Sequence, residues 1–308
     1  MPELPDLEYI APRLDEALKG RATDAVRVKE PIVLRVTLPG DFGELLTGHR
    51  FEKVAREGHF LVFDLDGGLR LVMNLMLVGR FRLCASDEKT EGALCFALKL
   101  GGDELRYLDE MKMGKAYLLR RGDEAKVPVL TTLGVPLLSK EFTLERFRKL
   151  IAKRRDQVRV FLMDKEAIAS IGNAYADEIL YEARLHPKTR CNELAPEQVE
   201  ALYRATVSVM RWAIEEVRKR QPELHEKERT FLKVRNRKGE RCPRCGGTIR
   251  ETHTLSAEAY YCPDCQPATR ALFVDWRKKP EPPPEPERAP DLEPTPPAKK
   301  RARKPRAK

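Results

Sequence analysis

Apolar and polar positions change rhythm three times along this chain. Over residues 9–20, Tyr9, Ile10, Leu14 and Leu18 recur at helical spacing and the run closes on Gly20, so the pattern predicts a short N-terminal helix. From residue 25 to 119 the texture shifts to short apolar or alternating runs, such as Phe60-Leu61-Val62-Phe63, Leu69-Arg70-Leu71-Val72 and Cys95-Phe96-Ala97-Leu98. Gly-Gly and Gly-Asp turns separate them, which predicts a β-sandwich or barrel. Beyond Leu133-Gly134-Val135-Pro136 the helical period returns, with helices expected over 142–152, 158–163, 173–183 and 196–218. A compact cysteine unit spans 242–265, and after Trp276 the chain turns to Pro, Glu, Lys and Arg, a composition that predicts disorder. The fold class is therefore multidomain α and β. It comprises an N-terminal β-sandwich with a leading helix (2–130), an all-helical domain (131–235), a cysteine unit (236–270) and a disordered basic tail (277–308).

Charge points to an anionic partner. Lys and Arg number 58 against 48 Asp and Glu, for a formal net charge of +10 and a pI near 9.2. The last ten residues hold seven bases and no acid, so the chain before them carries only +3, and its positive surface is expected on one face. No stretch approaches the ~20 consecutive apolar residues that cross a bilayer, so a soluble chain with no membrane partner is expected. The opening Met1-Pro2-Glu3-Leu4-Pro5-Asp6-Leu7-Glu8 is acidic, where an export signal begins basic and then apolar. A cytoplasmic protein is therefore expected.

Of seven cysteines, Cys84, Cys95 and Cys191 are scattered, whereas Cys242, Cys245, Cys262 and Cys265 form two C-x-x-C pairs separated by sixteen residues. This is the spacing of a structural zinc ribbon. Four thiolates complete the tetrahedral shell of one Zn²⁺ and leave no position open for chemistry, so the metal staples a unit too small to fold by burial alone. An odd number of remaining cysteines fits a reducing compartment better than a disulfide framework.

The N-terminus carries the chemistry. Met1 precedes a proline, a context in which the initiator methionine is usually removed, which would free the secondary amine of Pro2. An α-amino group titrates near pH ~8, so a useful fraction is unprotonated at neutral pH. Attack on the C1′ carbon of a nucleotide yields an iminium that acidifies the C2′ proton and permits elimination of the 3′ phosphate. An acid is needed at the sugar oxygen as the ring opens, and Glu3 is adjacent, with Asp6 and Glu8 close behind. Pro at position 2 and acidic N-termini are both common, so spacing alone leaves this open.

Together, Pro2-Glu3-Leu4-Pro5-Asp6-Leu7-Glu8, the β-then-helix order, Gly172-Asn173-Ala174-Tyr175-Ala176 and the terminal four-cysteine ribbon resemble the formamidopyrimidine-DNA glycosylase and endonuclease VIII family, from Pro2 to about Gln266. The resemblance implies a base-excision-repair glycosylase with abasic-site lyase activity, β/δ-elimination, damaged DNA as partner and a monomer at the bacterial nucleoid. It assigns Pro2 as nucleophile and Glu3 as acid. It also implies a helix–two-turn–helix module from Phe161 through Gly172-Asn173 to Pro187, in which Asn173 holds a phosphate. Arg159 matches a basic position that contacts the DNA backbone.

Several positions depart from the family. Its phosphate-binding lysine after an Arg-Gly pair reads Arg56-Glu57-Gly58-His59-Phe60 here, leaving His59 for that contact. The loops that fill the gap left by a flipped nucleotide read Asn74-Leu75-Met76-Leu77-Val78-Gly79 and Asp109-Glu110-Met111-Lys112-Met113-Gly114. Lys112 and Met113 replace an Arg and a Phe, so charge and apolarity survive but planarity does not. The ribbon arginine expected five residues before the third cysteine is Ala257, with Arg250 and Arg270 as substitutes to consider. Residues 218–230 are short and charged where some members carry a loop that closes over damaged purines, which argues for oxidised pyrimidines or abasic sites over 8-oxoguanine. A catalytically weak DNA-damage binder on the same scaffold is the alternative. The seven-cation tail adds salt-sensitive DNA affinity or serves as a solvated end.

Overall fold

The computed structural model describes residues 2–90, 92–254 and 257–268; Arg270 and the tail over 277–308 lie outside them. Helix α1 (Leu4–Leu18) begins five residues before its predicted start. Pro5 sits in the first turn, where no intrahelical donor is lost, and the carboxylate of Asp6 accepts the Glu3 N–H at 2.7 Å. Pro12 lies on the exposed side, while Leu7, Ile10, Leu14 and Leu18 are buried.

Among the described residues nine strands follow: β1 (Ala25–Val28), β2 (Leu34–Val36), β3 (Phe51–Glu57), β4 (Phe60–Leu65), β5 (Leu69–Asn74), β6 (Arg80–Ala85), β7 (Leu94–Leu100), β8 (Asp103–Leu108) and β9 (Lys115–Arg120). A short helix, α2 (Phe42–Leu46), interrupts them. They form two sheets, ordered β1-β7-β8-β6 and β2-β9-β5-β4-β3, whose inner faces share one core with α1. Strand β4 shows why its apolar run is unbroken. Leu61, Phe63 and Leu65 enter that core, whereas Phe60 and Val62 point the other way, into a second cluster with Val127 and Leu130.

Helices α3 (Leu144–Ile151), α4 (Val158–Met163), α5 (Asn173–Glu182) and α6 (Pro196–Arg220) match the predicted periods within two residues at each end. Between α4 and α5, two turns pass through a two-residue strand β11 (Ile168–Ala169) that pairs in parallel with β10 (Val135–Pro136). Packing runs across the expected borders near 130 and 235, the latter through Tyr181 and Val234 against Cys242 and Ile249. Leu4 joins the helical core, Val217 and Leu224 join the sandwich core, and Phe231 packs against both. Hairpin β12 (Arg250–Thr254) and β13 (Ala257–Tyr261) completes the ribbon. Gln266 ties it down, accepting the Cys262 N–H at 3.0 Å and donating to the Leu185 carbonyl at 2.8 Å. Among the described residues no helix is long and apolar enough to cross a membrane.

Candidate active site and nucleic-acid cleft

Glu3 is the centre of the site. As the residue before α1 it projects onto the start of α5, where its carboxylate accepts the N–H groups of Gly172 (2.9 Å), Ala174 (3.0 Å) and Tyr175 (3.3 Å). Burial raises its carboxyl above the ordinary range, against the opposing pull of Arg229 and of the Ala174 and Tyr175 N–H groups. A carboxyl so placed holds a proton nearer neutral pH than a free one, as a general acid must. Pro2, also buried, precedes it directly.

Only glycine fits at 172. A Cβ there would stand 2.5 Å from Glu3 Cδ and 2.8 Å from Oε1, within the van der Waals envelope of the carboxylate. Gly172→Ala is expected to push the carboxyl off its three donors and slow single-turnover cleavage ~100-fold, with DNA affinity changed by less than ~3-fold. Equal rates in the two proteins would contradict this role for the contact.

Asp6 and Arg229 stand behind Glu3. The guanidinium donates to both Asp6 oxygens, at 2.7 and 2.5 Å, and lies 5.2 Å from the Tyr175 ring centroid. Arg229, Lys227 and Lys165 line the same cleft as Glu3, Asn173 and Ala257, a space of about 530 Å³. Lys227 donates to the Leu77 carbonyl at 2.7 Å, and burial lowers its ammonium pKa, as it does for Lys165. Of these neighbours of Glu3 the sequence singled out only Asp6; Arg229 reaches it across 223 positions, and Lys227 and Lys165 carried no signal of their own.

Two expected DNA contacts are placed differently. His59 is 6% exposed and tilted against Phe60 at 4.2 Å between centroids, and burial, with Lys165 nearby, lowers its pKa to about 3. It is a neutral ring and supplies no cation to a phosphate. An imidazole that resists protonation until about pH 3 when folded, yet titrates normally near 6.5 when unfolded, costs stability as pH falls between those values. Its share is ~2 kcal/mol by pH 5. His59→Phe should therefore shrink the drop in unfolding free energy between pH 7 and 5 by about that amount, as read from denaturant titrations. An unchanged drop would refute the assignment.

Arg159, expected on the DNA backbone, has no exposed side-chain surface. It donates to Asp177 (2.8 Å), Asn173 Oδ1 (2.9 Å), Thr254 (2.9 Å) and the Glu258 carbonyl (2.9 Å), and so joins α4, α5 and the ribbon hairpin from inside. Asn173 itself is exposed at the first turn of α5.

The two loops between strands converge on Tyr107. Its hydroxyl donates to Asp109 at 3.3 Å, and Asp109 accepts the N–H groups of Met111 and Gly114. A Cβ on Gly79 or Gly114 would meet that hydroxyl at 2.3 or 1.7 Å, so both loops close on one buried oxygen. They present Leu77, Met111 and Met113 to solvent, while Lys112, at φ +52°, pairs with Glu30 at 2.7 Å.

At the ribbon, the sulfurs of Cys242, Cys245, Cys262 and Cys265 lie within 4.8 Å of one another, with pairs at 3.9 and 3.5 Å. Tetrahedral thiolates on Zn²⁺ at ~2.3 Å stand ~3.8 Å apart, so the four residues fit one structural zinc.

A β-sandwich, a helix–two-turn–helix module and a zinc ribbon gathered round a basic cleft with a buried acid define a DNA-repair glycosylase. Residues 1–116 match the formamidopyrimidine-DNA glycosylase N-terminal domain, 133–221 its H2TH domain, and 239–268 the zinc finger found in FPG and IleRS. The formamidopyrimidine-DNA glycosylase of Listeria innocua is 31% identical, over 86% of this chain and 100% of its own. That of Symbiobacterium thermophilum is 33% identical, over 90% and 93%. A solved complex of Lactococcus lactis Fpg with DNA containing an oxidised pyrimidine superposes with a TM-score of 0.79 at 26% identity, covering 87% of this chain and 100% of that one. The chain belongs to the formamidopyrimidine-DNA glycosylase family and is a base-excision-repair enzyme with one structural zinc.

Proposed function

We propose that the protein excises oxidised pyrimidines and processes abasic sites by way of a Pro2 iminium, in preference to 8-oxoguanine. The observation that carries the mechanism is the buried Glu3 carboxyl, held by three N–H groups and adjacent to Pro2. The Pro2 nitrogen attacks C1′, the damaged base leaves with its bonding pair, and the proton shed by the Pro2 nitrogen goes to the departing base. Glu3 gives its proton to O4′ as the C1′–O4′ bond breaks, leaving a C1′ iminium. Loss of a C2′ proton then expels the 3′ phosphate, and a second elimination expels the 5′ phosphate. Asn173 contributes a backbone phosphate contact, and the two loops closing on Tyr107 enter the gap left by the flipped nucleotide.

The lesion preference rests on the segment between α6 and the ribbon. Residues 222–232 form no helix or strand, and Lys227 and Arg229 from this segment occupy the cleft beside Glu3. The reading takes the protein as a monomer acting on nucleoid DNA in the cytoplasm. It is tested by single-turnover cleavage of duplexes carrying 5-hydroxyuracil, an abasic site or 8-oxoguanine. The first two should be cut at least ~10-fold faster than the third, a margin of about 1.4 kcal/mol in the barrier. Faster cutting of 8-oxoguanine overturns the preference.

A further inference from the structure

The fully buried Arg159–Asp177 pair has no surface of its own, yet each member fixes a donor that faces the cleft. Arg159 Nη2 donates to Asn173 Oδ1, which takes up the amide oxygen of Asn173 and leaves its NH₂ outward on an exposed residue. Asp177 Oδ2 accepts Arg235 Nη1 at 2.8 Å, and the same nitrogen donates to the Glu258 carbonyl at 2.9 Å. Among the described residues the Nε and Nη2 groups of Arg235 have no hydrogen-bond acceptor. The guanidinium stacks 4.9 Å from the centroid of Tyr260, and its side chain is 18% exposed. Arg235 and Asn173 line one cleft together with Ala257, the position at which the ribbon hairpin lacks a cation.

Two guanidinium charges against one carboxylate leave a single positive charge in this group. Because Asp177 and Arg159 are held from several sides, that charge is presented with little freedom to move. We propose that Arg235 and Asn173 form a clamp for one DNA backbone phosphate, with Arg235 replacing the arginine absent at Ala257 and Arg159 acting as the positioning residue beneath both. A planar guanidinium with one edge fixed by Asp177 and Glu258 offers its other edge as two parallel donors, the geometry a phosphate accepts. The clamp is built across three segments, the start of α5, the approach to the ribbon and β13, so ribbon folding assembles it. No spacing rule joins Asn173, Arg235 and Ala257 in sequence.

This inference rests on DNA being the substrate, and its test reads binding alone. Full-length, zinc-loaded protein is titrated with a duplex containing a tetrahydrofuran abasic analogue over a range of salt concentrations. Arg235→Gln should bind ~10-fold more weakly near 0.1 M salt, and the salt slope should fall by about 0.9, the loss of one phosphate contact. Adding Ala257→Arg to that variant should restore both affinity and slope, which a purely structural role for Arg235 would not allow. Zinc content is measured alongside. Should Arg235→Gln release zinc, Arg235→Lys is compared with wild type instead; it keeps the Asp177 pair without two parallel donors, and a ~3-fold loss with unchanged slope is expected. Wild-type affinity and slope in zinc-replete Arg235→Gln, or in Arg235→Lys where that variant is used, overturn the clamp. So does failure of Ala257→Arg to rescue. Failure of the wild type to cleave true abasic DNA while binding this analogue would remove the catalytic proposal and leave the clamp comparison standing.

Discussion

Replacing Pro2 with Gly, or leaving residues ahead of Pro2, is expected to cut strand cleavage by about three orders of magnitude while damaged duplex still binds. The reason is electronic. A secondary amine forms an iminium that has no N–H to lose, so its positive charge persists and keeps drawing electrons from C2′. A glycine amine gives an imine that sheds its charge on losing a proton, and an extended chain offers no terminal amine at all. The phosphate contacts proposed for Asn173 and Arg235 are untouched, because these residues sit on α5 and the ribbon approach. Gel-shift affinity together with single-turnover nicking separates the two effects, and full nicking by both altered proteins would sink the mechanism.

The second large effect is expected from the metal. Cys242→Ser should release zinc and weaken DNA binding by ~100-fold or more, since structural zinc holds such units with ~10–16 kcal/mol of apparent binding free energy. The damage should stay local to the ribbon and what it organises. Cys242 sits 3.3 Å from the Tyr181 hydroxyl, and Glu178 accepts the N–H groups of Lys233, Val234 and Arg235, so the segment carrying Arg235 is fastened between α5 and the ribbon. The sandwich keeps its own core around Phe63, Phe81, Phe96 and Tyr107 and should remain folded. Metal analysis, circular dichroism and anisotropy read these outcomes. A zinc-free protein that binds DNA as tightly as wild type would remove the ribbon from the DNA-binding surface.

What could be read from the sequence was local. The unbroken apolar run of β4, the helical periods of α3 to α6 and the two C-x-x-C pairs are set by residues close in the chain, and each gave its element directly. The role of Glu3 as acid came from resemblance, but its place beside Gly172-Asn173 did not, and the structure supplies it in three N–H donors and a glycine whose Cβ would strike the carboxylate. Long-range partners were invisible. Arg229 meets Asp6, and Arg159 meets Thr254 and Glu258, through folding alone. Direction was invisible as well. The sequence offers Arg159 and His59 as DNA contacts, yet both are buried, Arg159 as an internal anchor whose partners on α5 and the ribbon are distant in the chain, and His59 as a ring in a turn whose buried side no periodicity shows. The start of α1 was missed because two prolines in five residues read as a break, whereas a helix's first turn accommodates the second of them.

The most direct test of the central claim is borohydride trapping of the wild-type protein on duplexes carrying an abasic site, 5-hydroxyuracil or 8-oxoguanine. The account predicts a covalent protein–DNA adduct whose linked residue is Pro2 by peptide mapping, with the abasic and 5-hydroxyuracil duplexes giving the higher yields. A protein that holds its zinc, binds these duplexes and forms no adduct on any of them would contradict it.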